Sequence, residues 1–391
     1  MKVREITENE FLESVKLSMY AFQYKIPEAD IPARKELIKN HKVLGIWDDT
    51  LLAAKLHIIP LTILMKDVEW KMGGIAGVAT YPEYRRNGYV KALIMNSLEQ
   101  MRNNQQIVSL LHPFEIAFYR KFGWEILNDQ KNITIEKGNL KFLEMPQGVI
   151  KRFTKETHNE EIEKLYHDYS IRHTGMLKRE TNWWQNNIYD DHSQLAVYYH
   201  NKNEAKGYML YSVKDRKMEV EELVALDHEA RLGLWNCICQ HDSMVETVKM
   251  KLASHDPFPY FLSQPKVKTE ITPYFMARIV DAEECLRRYP FIQETDPLFL
   301  HLEDSHAPWN NGSYLLGNGD FKVFKEKVGG QCAHPPKKGI QLNINSLSAI
   351  LFGYKRPMEL FEMGYLKGSE TEVQLFERMV PSMNSAFFDF F

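Results

Sequence analysis

The sequence predicts an α+β chain with a mixed sheet, in which a strand–turn–helix unit occurs twice and a further α+β unit follows. An apolar strand through Gly77, Val78, Ala79 and Thr80 runs into a turn ending at Gly88, after which Val90, Leu93, Ile94, Leu98 and Met101 recur at helical spacing. Residues 224–231 can be laid over residues 78–85, so that Val224, Ala225 and Arg231 match Val78, Ala79 and Arg85, and a second helical pattern follows. Beyond residue 275 the pattern changes to alternating strands, Gly-Asn turns and two short apolar helices.

The first unit is placed at residues 1–150. A helix over 8–20 precedes a loop with Pro27 and Pro32, and the apolar runs 43–47 and 51–57 are joined by Asp48-Asp49-Thr50, a hairpin signal. After the strand–turn–helix comes a short buried-strand pattern over 107–111, then a short helix around Phe118, Tyr119 and Phe122 stopped by Gly123. Two alternating strands, 125–127 and 132–136, are expected to close the sheet.

The second unit, 151–274, repeats the order. A helix with Ile162, Leu165, Tyr166 and Tyr169 leads to a hairpin of 195–199 and 206–213 around Asn201-Lys202-Asn203, then a strand over 218–225 and a helix over about 229–241. The copy is degenerate, because Leu234 falls where Gly88 lies and no Tyr precedes a Phe-Gly pair. The third unit, 275–391, carries strands at 298–302 and 312–316, turns at Gly317-Asn318-Gly319, a Pro335-Pro336 loop and helices at 344–352 and 357–363.

The turn before Val90 suits an anion. A helix N-terminus presents unpaired N–H groups and the positive end of the macrodipole. Gly88 admits close backbone approach and a positive φ, and Arg85 or Arg86 adds charge.

With Arg85 and Gly88 in an Arg-x-x-Gly loop and Tyr119 ahead of Phe122-Gly123, the chain resembles the GNAT superfamily of acyl-CoA-dependent N-acetyltransferases. Val90 departs from that pattern, standing where most of the superfamily has Gly or Ala. The opening Val3-Arg4-Glu5-Ile6-Thr7, Ala21-Phe22-Gln23, Ala277-Arg278-Ile279-Val280-Asp281, Pro308-Trp309-Asn310 and the Phe-rich end look like its Eis-like branch, over essentially all 391 residues. The resemblance implies two tandem GNAT-like domains, the second degenerate, followed by a sterol carrier protein-like domain. It also implies acetyl-CoA as cosubstrate, an amine acceptor of aminoglycoside, polyamine or lysine type, and a homo-oligomer, a hexamer by family likeness.

The resemblance assigns Val78, Ala79, Thr80, Arg85, Arg86, Asn87, Gly88 and Tyr89 to the cofactor. Backbone amides of residues 78–80 can hold the pantetheine arm if that strand splays from its neighbour. Tyr119 is the candidate general acid, because a phenol of pKa about 10 stays protonated until the thiolate develops.

The tail Ser385-Ala386-Phe387-Phe388-Asp389-Phe390-Phe391 is too apolar to fray, since burying each large side chain gains about 1.5–3 kcal/mol. It should dock in a cleft, and in the branch the chain resembles the terminal carboxylate, here on Phe391, serves as base. Asp389 is expected to make that cleft attractive to cations, and His112 is a second base candidate or a polar loop residue.

Composition bounds the partners. Net charge is -3 with both signs interspersed, so no footprint of nucleic-acid binding appears. No apolar run approaches the ~20 residues that span a bilayer, and acidic Glu5, Glu8 and Glu10 do not form a signal peptide; a cytoplasmic location is expected. Cys237, Cys239, Cys285 and Cys332 fit neither a disulfide framework nor a zinc site, and neither Cys332 with His334 nor His167 with His173 has a third ligand, so no metal is expected. The alternative class is an acyl-CoA-sensing or apolar-ligand-binding regulator, against which Tyr119 argues, because a sensor needs no leaving-group acid.

Overall fold

The computed structural model describes residues 2–144, 146–190, 192–201, 203–317, 320–325 and 338–391. In chain order the first unit contains β1 (Arg4–Glu5), α1 (Phe11–Phe22), α2 (Ile31–Leu37), β2 (Lys42–Asp48), β3 (Leu51–Met65), β4 (Val68–Thr80), α3 (Tyr89–Asn103), β5 (Val108–Leu111), α4 (Ile116–Arg120) and β6 (Glu125–Glu136). Alternation along β3 decides which helix lies on which face. Ala54, Leu56 and Ile58 meet Leu93, Ile94, Leu98 and Met101 of α3. Lys55 points the other way, to Ser14 and Ser18 of α1.

The second unit contains β7 (Val149–Phe153), α5 (Glu160–Ser170), β8 (Thr174–Leu177), α6 (Thr181–Trp183), β9 (Gln194–His200), β10 (Glu204–Lys214), β11 (Lys217–Ala225), α7 (His228–Cys239), β12 (Thr247–Ala253), α8 (Phe258–Phe261) and β13 (Lys268–Ile279). Both units share one sheet, ordered β1-β2-β3-β4-β5-β13-β6-β12-β11-β10-β9-β7, with β8 beside β3.

The two units exchange strands. β13 ends the second unit, yet its last residues pair with β5 of the first, from Met276↔Leu111 to Ile279↔Val108. β6 belongs to the first unit, yet from Gln130 to Glu136 it pairs with β12 of the second. The expected strands 125–127 and 132–136 are therefore one strand long enough to serve both halves. The expected boundary at 274/275 falls inside β13.

The third unit contains α9 (Ala282–Arg288), β14 (Leu298–Glu303), β15 (Gly312–Gly317), β16 (Asp320–Phe324), β17 (Ile340–Asn343), α10 (Ile344–Leu351), α11 (Pro357–Glu362) and α12 (Glu370–Met379). Its sheet runs β16-β15-β14-β17. The apolar face of α10 shares one core with Trp70, Val108, Leu110, Phe275 and Ile279 of the long sheet. Arg278 is buried at the junction and donates to both carboxylate oxygens of Asp304, at 2.9 and 2.6 Å, and to the Phe122 carbonyl. The Pro335-Pro336 loop, Cys332, His334, Lys202 and the turn residues Asn318 and Gly319 lie outside the described residues. Cys237, Cys239 and Cys285 are buried free thiols.

Candidate active site

β4 and β5 run parallel and pair at Met72↔Val108, Gly73↔Ser109 and Gly74↔Leu110. There the pairing stops. β4 continues to Thr80 with β3 as its partner, so its other edge, which includes Val78, Ala79 and Thr80, faces an open fork. A bulge bends this stretch: Lys55 pairs with Ala79 but His57 with Ala76, so Gly77 and Val78 share one opposing residue. Gly77 has φ +54°, and a Cβ there would lie 3.0 Å from His57 Cδ2. Glycine is required by both conformation and space.

The turn places Gly88 at the N-cap of α3 with φ 78° and no capping side chain, and no acidic residue occupies the first turn. Arg86 shares the left-handed conformation at φ 65°. Arg85, Arg86, Asn87 and Gly88 are exposed, Tyr89 is half-buried, and a Cβ on Gly88 would meet nothing within 4 Å. Successive N–H groups beside two arginines and an uncapped helix end are the arrangement that suits an anion.

The second unit keeps the fork and loses the anion site. β11 and β12 pair up to Val220↔Met250, and β11 then continues alone on that edge to Ala225. However, α7 begins at His228, which matches Pro82, so helix replaces the loop. Its end is capped by the Asp227 carboxylate, which accepts from the Ala230 N–H at 2.9 Å, and Arg231 is paired with Asp256 at 2.9 Å. Leu234 is fully buried. An anion would meet a carboxylate already in place.

Tyr119 lies on α4 in a cage of Phe114, Phe118 and Trp124, with ring centroids 5.4, 5.2 and 6.4 Å away. Its hydroxyl makes no hydrogen bond among the described residues, and burial alone holds its pKa well above the phenol value. It is a protonated donor with no competing acceptor.

The tail docks. The Thr174 N–H donates to the Asn384 carbonyl at 3.0 Å and the Ala386 N–H to the Thr174 carbonyl at 3.1 Å. Phe387 is buried against Phe275, 4.4 Å between ring centroids. Phe391 ends over Gly74, the last paired residue before the fork, where a Cβ would lie 2.8 Å from its ring. Its terminal carboxylate has no partner among the described residues.

Asp389 corrects the expectation drawn from the sequence. Its side chain is fully buried, accepting from Arg179 Nε at 2.8 Å and Trp183 Nε1 at 2.7 Å. It offers no charge to an incoming cation, because a guanidinium of the second unit already uses it. His112, just past β5, is held among Tyr274, Phe275 and Phe390, with centroids 5.4, 5.6 and 5.1 Å away. Burial lowers its pKa, so it stands neutral beside the tail. Sequence reasoning missed Gly74, Arg179 and Glu222, whose roles come from contacts distant in the chain.

Among the described residues no cluster of three or more His, Cys, Asp or Glu side chains could hold a metal ion, and no helix is long and apolar enough to cross a membrane.

A forked β4/β5 pair leading to a glycine-capped helix is the architecture of a GNAT domain, and residues 2–127 and 175–279 each match the acetyltransferase (GNAT) domain family, while residues 282–388 match the sterol carrier protein domain. Within that superfamily the chain is similar to the Eis proteins. It is 25% identical to N-acetyltransferase Eis of Mycobacterium tuberculosis over 268 residues, which is 64% of this chain and 64% of that protein. The alignment thus spans somewhat less than two thirds of the curated relatives' length. A crystal structure from Enterococcus faecalis, a conserved protein of unknown function and probable N-acyltransferase, superposes with a TM-score of 0.91 at 26% identity, covering 100% of this chain and 99% of the other. Eis1 of Mycobacterium abscessus shares the fold, with a TM-score of 0.83 at 18% identity over the whole of both chains.

Proposed function

We propose that this protein transfers the acetyl group of acetyl-CoA to an amine by direct attack in the first unit. The observation that carries this reading is the convergence of three parts on one fork: the open edge of β4, the glycine-capped end of α3 and the chain terminus over Gly74. Gly88, Asn87, Arg86 and Arg85 would hold the pyrophosphate and Tyr89 would flank it. The N–H groups of Val78, Ala79 and Thr80 would hold the pantetheine arm and steady the oxyanion.

The chemistry requires a neutral amine and a protonated leaving group. The Phe391 carboxylate, through a water, takes the amine proton; desolvation strengthens it as a base. The amine bonds to the thioester carbonyl carbon, the C–S bond breaks, and Tyr119 gives its proton to the thiolate. Neutral His112 stands near enough to the tail to be a second acceptor of the amine proton. The degenerate unit takes no part in CoA binding. Acceptors of aminoglycoside, polyamine or lysine type, and the homo-oligomeric assembly of the Eis-like branch, belong to this same reading.

Thiol release from acetyl-CoA with a panel of aminoglycosides, polyamines and lysine peptides tests it. Turnover with at least one amine is expected. Tight acetyl-CoA binding with no acceptor turned over contradicts the enzyme reading and favours a sensor.

A further inference from the structure

A buried cluster on β11 ties the tail to the second unit. Glu222 lies two residues beyond Val220, the last residue of β11 paired with β12. Its carboxylate accepts from Arg179 Nη1 at 2.9 Å and Nη2 at 2.6 Å, and from the Tyr208 hydroxyl. Arg179 turns its remaining Nε to Asp389 at 2.8 Å. The guanidinium also lies over Tyr166, 3.9 Å from the ring centroid, and near Trp184 at 4.7 Å. Both side chains of the Arg179–Asp389 pair are 0% exposed. Trp183 Nε1 closes on the same Asp389 oxygen at 2.7 Å, and the Tyr274 hydroxyl donates to the Asp389 carbonyl at 2.9 Å.

Arg179 holds two carboxylates, one more than a guanidinium needs as a partner. Glu222 alone neutralises Arg179 in a bidentate pair, the strongest geometry open to it. Asp389 is a second carboxylate on the same guanidinium, and its burial disfavours the ionised form and raises its pKa. Asp389 is two residues from Phe391, so about 7 Å of extended chain joins the clamped side chain to the terminal carboxylate. Phe390 between them is 62% exposed and packs one edge against the His112 ring.

We infer that the degenerate GNAT unit is a positioning device: its strand β11, through Glu222 and Arg179, grips Asp389 and thereby aims the Phe391 carboxylate at the fork of the first unit. This rests on the reading of that carboxylate as the base. Arg179, Glu222 and Asp389 are positioning residues and touch no substrate.

The experiment uses the full chain and three forms: native, Asp389→Asn, and native sequence with Phe391 carrying a C-terminal amide. Asp389→Asn keeps the Arg179–Glu222 pair and so leaves the buried charge balanced. Its kcat is expected to fall about 10- to 100-fold, the range that misplacement by about an ångström produces. The KM for acetyl-CoA should stay within about twofold, and added formate should restore part of the rate by supplying a mobile carboxylate. A merely structural role would give neither the kcat-only loss nor the rescue.

If the amide form is inactive and Asp389→Asn turns over at the native rate, the clamp is refuted and the base reading stands. If the amide form is fully active, the base reading fails and the clamp with it. Should Asp389→Asn not fold, Trp183→Phe, which removes the indole hydrogen bond to Asp389, is read in its place: a formate-responsive loss of kcat supports the clamp, and an unchanged kcat refutes it.

Discussion

Phe391 and Gly74 touch in the one place where β4 parts from β5. The absent Cβ of Gly74 would lie 2.8 Å from Phe391 Cε2 and 3.1 Å from Cζ, so the terminal ring fills the space that glycine leaves. Gly74→Ala should therefore push the last residue away and leave the well-paired strand intact. The expected result is a loss of kcat of about tenfold or more with acetyl-CoA affinity unchanged. Isothermal titration alongside steady-state kinetics checks it; a native kcat would mean that the ring's position is irrelevant.

Tyr119→Phe preserves the cage of Phe114, Phe118 and Trp124 and deletes the proton. A rate loss of about 10²- to 10⁴-fold is expected, with the thermal midpoint and acetyl-CoA binding retained. Because burial alone raises this phenol, no new partner is orphaned by the change. An equal rate in the variant would move the acid elsewhere.

Gly88→Asp would set a carboxylate at the end of α3, where α7 carries Asp227. Aspartate tolerates the left-handed conformation better than most residues, and a Cβ there meets open space. At φ 78° the left-handed backbone strains the new residue, at a cost of about 1–2 kcal/mol, while the carboxylate repels pyrophosphate. CoA affinity should drop about tenfold or more in a titration. Unchanged affinity would place the pyrophosphate away from α3.

Lys55 sets the pH dependence of stability. It is sealed under α1, donating to Ser14 Oγ at 3.0 Å and Ser18 Oγ at 2.6 Å, with His57 Nε2 at 3.0 Å. Burial first, then the charge of Arg34, lowers it from 10.5 to about 7. Between those values the unfolded chain holds a proton that the folded protein does not, so stability rises as pH rises from about 7 to 10 and the full cost is present below 7. Buried His57 is pushed down too, and His41 to about 4, so stability falls again as pH drops from about 6.5 toward 4. Urea midpoints of Lys55→Met should lack the alkaline rise; a curve displaced without change of slope would contradict this.

Much of this site was legible because its parts are local in sequence. Gly88 and the helix after it, Tyr119 ahead of Gly123, and an aromatic tail that must be buried all announce themselves within a few residues. Asp389 was misread, because an acid two residues from a terminus looks solvated, and its partner Arg179 lies 210 positions away. Glu222 is no different in sequence from the exposed Glu219 on the same strand. Strand exchange was hidden for a related reason: the apolar residues 275–280 look the same whether they open a third unit or complete the first.

The most direct test of the central claim, that the end of the chain is part of the active site, is kcat for the native protein beside a form carrying one extra glycine after Phe391. The extension leaves every side chain in place and moves only the terminal carboxylate. The extended form should bind acetyl-CoA as tightly as the native one and turn over about a hundredfold more slowly or less. Equal rates in the two forms would show that the base lies elsewhere.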